Sequence, residues 1–244
     1  MHHVTLERWS RGSSRLHRLD PRVKTAALLA FLVVLATTYR HLAATAAVWT
    51  LGLCLLAAAA RLPLAGVLAR AGIVLPFSAV FALVSWAAGD PGRAASLVIK
   101  SYLSAAAVLM LVGTTPMPQL LRGLEMSGVP RFLLMVAQFL YRYLFVISEE
   151  AQHMRTAAAA RGASVRGLLA HRARFRAAAG ALAVLFSRSY ARAEEIHRAM
   201  LARGFQGHFH PLRAPRLRTA DVLFLLAAAP APLLVRVAVE RVAR

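Results

Sequence analysis

The chain has 244 residues, of which 59% are hydrophobic and 16% charged, and its thirty Lys+Arg against ten Asp+Glu give a formal net charge of +20. Soluble domains average about 45–50% apolar and about 25% charged residues, so this composition excludes an ordinary soluble enzyme, which would leave large apolar patches in water. It is also too apolar for intrinsic disorder, and one cysteine, Cys54, excludes a disulfide scaffold.

A mean hydropathy of +0.56 points to a membrane protein, and the apolar runs are read against the ~20 residues that a spanning helix needs. The first run, 23–39, follows a basic stretch. Further spans come after it, so it is expected to be retained rather than cleaved as a signal. The second, 42–60, follows so closely that the two must form an antiparallel hairpin; it contains Cys54, which reads as a small buried hydrophobe. A third run, 72–88, ends at Gly89-Asp90-Pro91-Gly92, and a fourth, 94–115, ends at Pro116. A fifth, 221–239, contains Pro230 and Pro232, which are tolerated in spans where neighbours satisfy the freed carbonyls. The expected fold is all-α and polytopic, with about five transmembrane helices and long amphipathic cytoplasmic helices.

Nineteen of the thirty basic residues lie in 1–24 and 155–218. The positive-inside rule puts both segments in the cytoplasm, and the four spans between them agree in parity. Arg61 and Arg70 also fall inside. A fifth span sends the C-terminus outside, where Arg236, Arg241 and Arg244 run against the rule. The basic load is read as facing anionic lipid across the cytoplasmic or inner membrane rather than nucleic acid. The expected division is 1–115 (N-terminal stretch and four spans), 116–219 (cytoplasmic) and 220–244 (last span).

In the cytoplasmic segment the pattern turns amphipathic. Residues 117–126 read as a short helix stopped by Ser127-Gly128-Val129-Pro130. Residues 131–160 contain no Gly or Pro and read as a helix about 45 Å long, apolar in its first half and dipping toward the bilayer. Gln138 and Arg142 argue against its being a sixth span. A basic loop with Arg166, His171, Arg172, Arg174 and Arg176 is expected next, then a second helix from about 177 to 203. Both helices finish on the same triplet, Ala160-Arg161-Gly162 and Ala202-Arg203-Gly204, with the arginines 42 positions apart. Met154 and Ile196 each precede their arginine by seven residues, about two turns, and so share its face; Met200 is grouped with them as a packing residue. A Glu pair stands upstream in each helix, Glu149-Glu150 and Glu194-Glu195. By itself the triplet fits either ordinary capping, Gly past the end and Arg at the negative pole of the dipole, or a functional contact.

Together these features resemble the T component of energy-coupling-factor (ECF) transporters, specifically the CbiQ type of cobalt and nickel systems. The paired Ala-Arg-Gly triplets are the specific part. The stretch His17-Arg18-Leu19-Asp20-Pro21-Arg22-Val23-Lys24, and the order Pro118, Gly128-Val129-Pro130, Glu149-Glu150, are similar as well. The resemblance implies a non-catalytic subunit joining two ABC-type ATPases, which bind ATP and Mg, to a CbiM-like substrate-binding membrane subunit, with or without a small CbiN-like one. Arg161 and Arg203 would each enter a groove on one ATPase. Arg suits such a contact, because its rigid fork pairs bidentately with carboxylates.

Other residues carry less. His2-His3 and His208/His210 fit weak metal ligands or solvated ends. Lys100 fits either an intramembrane functional cation or a snorkelling side chain, and Arg142 raises the same question. The sequence has no Gly-x-x-x-x-Gly-Lys-Ser/Thr phosphate loop and no Ser/His/Asp set, so no cofactor, metal or catalytic residue is assigned. The competing readings are a T component serving a vitamin, a polytopic membrane enzyme acting on lipid, and a basic scaffold.

Overall fold

A computed structural model describes residues 9–10, 12–39, 42–161, 170–207 and 217–242, with 170–174 described by backbone alone. The regular elements among them are all helical. The chain divides into two compact units, Met1–Ser127 with Ala214–Arg244, and Gly128–Arg213.

The first unit contains α1 (Pro21–Thr37), α2 (Leu42–Ala59), α3 (Leu64–Ala71), a 3-10 turn (Gly72–Val74), α4 (Leu75–Ala87), α5 (Pro91–Thr114), α6 (Met117–Met126), and, after the second unit in sequence, α9 (Thr219–Ala228) and α10 (Ala231–Val242). Local chemistry sets the ends. Asp20 caps α1 by accepting from the Arg22 N–H at 2.9 Å, and Asp90 caps α5 by accepting from the Arg93 N–H at 2.9 Å. Each is followed by proline at the first helical position, where no N–H is needed. The end of α2 is unusual. Arg61 stands at φ 56° where glycine is favoured, with its N–H on Ala58 O and the Leu62 N–H on Ala57 O.

α5 is the hub of this unit, packing on α1, α2, α3 and α4, while α9 and α10 close over α1. Leu35, Ala46, Trp49 and Leu103 form one buried cluster, and Ala60, Leu62 and Val67 another. α6 packs closely on α1, and its sequence supplies the reason: a Cβ on Gly123 would stand 3.1 Å from Pro21 Cβ, so glycine is the residue that suits this approach.

The second unit is the pair α7 (Arg131–Ala160) and α8 (Ala170–Ala202), packed on each other.

Among the described residues, five helices are long and apolar enough to cross a membrane: Leu42–Ala59, Leu64–Ala87, Pro91–Thr114, Arg131–Ala160 and Thr219–Val242. The chain is a multi-pass, all-α membrane protein. Three boundaries differ from the sequence reading. The third span begins at Leu64, not 72, because Arg70 does not break the helix: its Nη1 donates to Gly66 O at 3.2 Å and its guanidinium lies 4.3 Å from the Trp9 ring centroid. The first run is a 17-residue helix, about 25 Å long and slightly short of a ~30 Å hydrocarbon core, yet it packs among the spanning helices. α7, set aside because of Gln138 and Arg142, has the length and composition of a span.

Candidate functional site

The second unit carries the sequence-predicted site. α7 ends at Ala160, and the Arg161 N–H donates to Ala157 O and Ala158 O, both at 3.2 Å. Gly162 lies outside the described residues. α8 ends at Ala202, then Arg203, then Gly204 at φ +76°. The Phe205 N–H reaches Met200 O at 3.0 Å and the Gly204 N–H reaches Leu201 O at 2.9 Å. That is the Schellman arrangement, which requires a left-handed residue at Gly204. Capping therefore accounts for Gly204, and the arginine beside it also suits the negative end of the helix dipole. Arg161 and Arg203 are exposed, and among the described residues neither guanidinium is paired.

Met154, Ile196 and Met200 are half-buried, in contrast to their exposed neighbours. α7 and α8 are tied by the carboxylate of Glu150, which accepts from Arg188 Nη1 at 2.6 Å. Two more of the upstream Glu residues have partners within the unit: Glu149 lies 3.8 Å from His153, and Glu194 pairs with Arg198 one turn on. α8 starts at Ala170, so His171, Arg172, Arg174 and Arg176 lie on a helix, not in the expected loop. Alanine and arginine are good helix formers, and the run's charge does not override that. Arg166 lies outside the described residues.

The first unit holds a polar site whose contacts the sequence reading did not foresee. The backbone N–H of Asp20 donates to Asp221 Oδ1 at 2.9 Å, and the Arg218 N–H donates to Asp221 Oδ2 at 2.8 Å. Lys24 Nζ donates to Thr114 O at 3.0 Å, Thr115 Oγ1 at 3.1 Å and His17 O at 3.4 Å. His17 is itself held by Ser14 Oγ at 2.7 Å and Trp9 O at 2.9 Å. His17, Asp20, Lys24 and Asp221 are all buried. The motif before the first span is therefore a polar lock joining the N-terminal stretch, α1, the end of α5 and the start of α9. The resemblance of residues 17–24 to the family's N-terminal pattern marked this stretch in the sequence, but nothing there pointed to Asp221 as its partner.

The two cations of the apolar runs differ in their surroundings. Lys100 Nζ donates to Ala36 O at 2.9 Å at the end of α1 and lies 4.2 Å from the Tyr39 ring centroid. Arg142 is exposed, 5.9 Å from the Tyr143 ring centroid. Arg236, which runs against the charge rule, pairs with Glu240 at 3.0 Å and donates to Thr37 Oγ1 at 3.2 Å. No group of three or more potential metal ligands occurs among the described residues. His2, His3, His208 and His210 lie outside them.

Comparison with known proteins bears on the whole chain. It is 33% identical to the cobalt transport protein CbiQ of Rhodobacter capsulatus over 136 residues, 56% of this chain and 54% of that protein. The chain thus spans about half the length of that relative. It is 30% identical to the energy-coupling factor transporter transmembrane protein EcfT of Acidaminococcus fermentans over 231 residues, 84% of each. An uncharacterized protein of Methanocaldococcus jannaschii is 22% identical over 245 residues, 91% of this chain and 82% of that protein. The cobalt transport protein family, CbiQ, matches residues 12–212, which draw on both units, and the chain belongs to that family.

Proposed function

We propose that this chain is the transmembrane coupling subunit of an ECF-type importer for cobalt. The observation that carries the reading is the pair of exposed arginines, Arg161 and Arg203, unpaired among the described residues, at the ends of two helices that pack on each other. Each guanidinium offers a charged fork to a carboxylate-lined groove on one ATPase subunit. The family description and the names of the relatives support the transport setting.

In this reading the ATPases bind ATP and Mg, and the chain itself is no enzyme. ATP-driven closure moves the arginine-bearing ends. The Glu150–Arg188 tie and the half-buried Met154, Ile196 and Met200 make α7 and α8 move together. A CbiM-like membrane subunit, with or without a CbiN-like one, carries the metal, and nickel is the alternative cargo. The basic segments 1–24 and 155–218 face the cytoplasm.

The test is co-expression with the candidate ATPases and substrate subunit, followed by affinity purification in detergent. Arg161→Glu and Arg203→Glu should weaken ATPase capture about tenfold or more without reducing membrane insertion. Arg172→Glu and Arg174→Glu, elsewhere on α8, should be much milder. Equal losses from all four substitutions would mean a diffuse electrostatic contact and sink the site assignment.

A further inference from the structure

The helices of the first unit enclose an open-sided groove of about 490 Å³, within the ~300–1,000 Å³ typical of small-molecule sites. α1, α2, α5, α9 and α10 all contribute to its walls. Small side chains keep it open. Gly52 on α2 lines it, and a Cβ there would meet nothing within 4 Å. In membrane proteins small residues ordinarily let helices approach closely; here they face space. Ala228, Ala231 and Pro232 also line it, where the chain breaks between α9 and α10. Proline at 232 has no N–H for the Ala228 carbonyl.

The groove is polar at one end only. Leu16 and Lys24 mark that end, while Phe31, Trp49 and Val235 line the remainder. Lys24 has its Nζ committed to His17 O, Thr114 O and Thr115 Oγ1, so it closes the groove rather than receiving a ligand. Arg15 and Arg18, which flank Leu16 in sequence, are exposed. An apolar trough whose lining residue Leu16 lies within two positions of two exposed cations matches the polarity of an anionic amphiphile.

We propose that the groove is a binding site for an anionic phospholipid, with one acyl chain lying along Phe31, Trp49 and Gly52 and the phosphate held at Arg15 and Arg18. This site is independent of the transport reading above. Trp49 supplies the probe: it lines the groove, so bromine on a chain lying there comes close to its ring.

The test uses the full chain carrying Trp9→Phe and Trp86→Phe, reconstituted in phosphatidylcholine vesicles with a minor fraction of phosphatidylglycerol. Bromine is placed on the acyl chains of one lipid or the other. Brominated phosphatidylglycerol should quench Trp49 fluorescence about fivefold or more strongly per mole than brominated phosphatidylcholine. Arg15→Gln with Arg18→Gln should erase that difference, and Gly52→Leu, which fills the groove, should abolish quenching by both. Equal quenching by the two lipids in the unsubstituted groove would overturn the proposal, as would undiminished quenching in a folded Gly52→Leu protein. If Gly52→Leu fails to fold, the comparison of the two brominated lipids decides alone.

Discussion

The backbone N–H of Asp20 donates to Asp221 Oδ1 at 2.9 Å across 201 positions of sequence. One carboxylate therefore holds the cap of α1 to the start of α9, and its second oxygen accepts from the Arg218 N–H at 2.8 Å. At 3% exposure Asp221 has no water to replace these partners. Asp221→Ala strands two backbone donors, each costing about 1–3 kcal/mol when buried unsatisfied. Its melting temperature in detergent should fall clearly, and Asp221→Asn, which keeps one acceptor oxygen, should fall less. Equal melting of the Ala variant and the parent would show the contact to be dispensable.

Lys24 works in the same lock with opposite charge. Its three acceptors, Thr114 O, Thr115 Oγ1 and His17 O, come from two separate stretches of chain. Lys24→Met keeps the length and removes the donors, so it should destabilise by about 1.5–3 kcal/mol, the scale of a charged hydrogen bond. Lys24→Arg should not rescue it, because a planar fork does not reproduce the compact ammonium's geometry. Wild-type melting of Lys24→Arg would contradict this.

These two residues show what the sequence made legible and what it did not. Gly204 announced a helix end, because caps are local chemistry within a few residues. The apolar runs marked the spans because hydrocarbon demands length. Asp221 carried no signal: its partner is 201 positions away, and an acid at the head of a span looks like any boundary residue. Arg70 and the 170–176 run were misread for one reason. Charge suggested an interruption, whereas Arg70 finds Gly66 O and the Trp9 ring, and Ala/Arg sequence favours helix. For the arginine pair the sequence supplied spacing, and the structure adds that both ends are exposed.

Arg61 is held at φ 56° at the end of α2. A left-handed conformation costs a non-glycine residue roughly 1–2 kcal/mol, and glycine's greater chain entropy returns about 0.5–1 kcal/mol of that. Arg61→Gly should therefore raise the melting temperature slightly, while Arg61→Val, β-branched at the same backbone angle, should lower it. A lower melting point for Arg61→Gly would mean that the side chain contributes more than the strain removes.

Ile196 and Met154 lie two turns before their arginines and are half-buried, on helices that pack on each other. Burial of such a side chain is worth about 1.5–3 kcal/mol, and a carboxylate put in its place must be desolvated or must push the helix away. In the proposed coupling role, a loosened α8 no longer passes movement at Arg203 to the remainder of the unit. Ile196→Asp and Met154→Asp should thus lower metal uptake strongly while the ATPases in the purified complex still bind nucleotide. Ile196→Leu, which keeps the volume, should transport nearly as well as the parent. The informative measurement is uptake and nucleotide binding on the same preparation. Loss of both together would place the defect in assembly rather than in transmission, and unimpaired uptake by Ile196→Asp would remove this face from the mechanism.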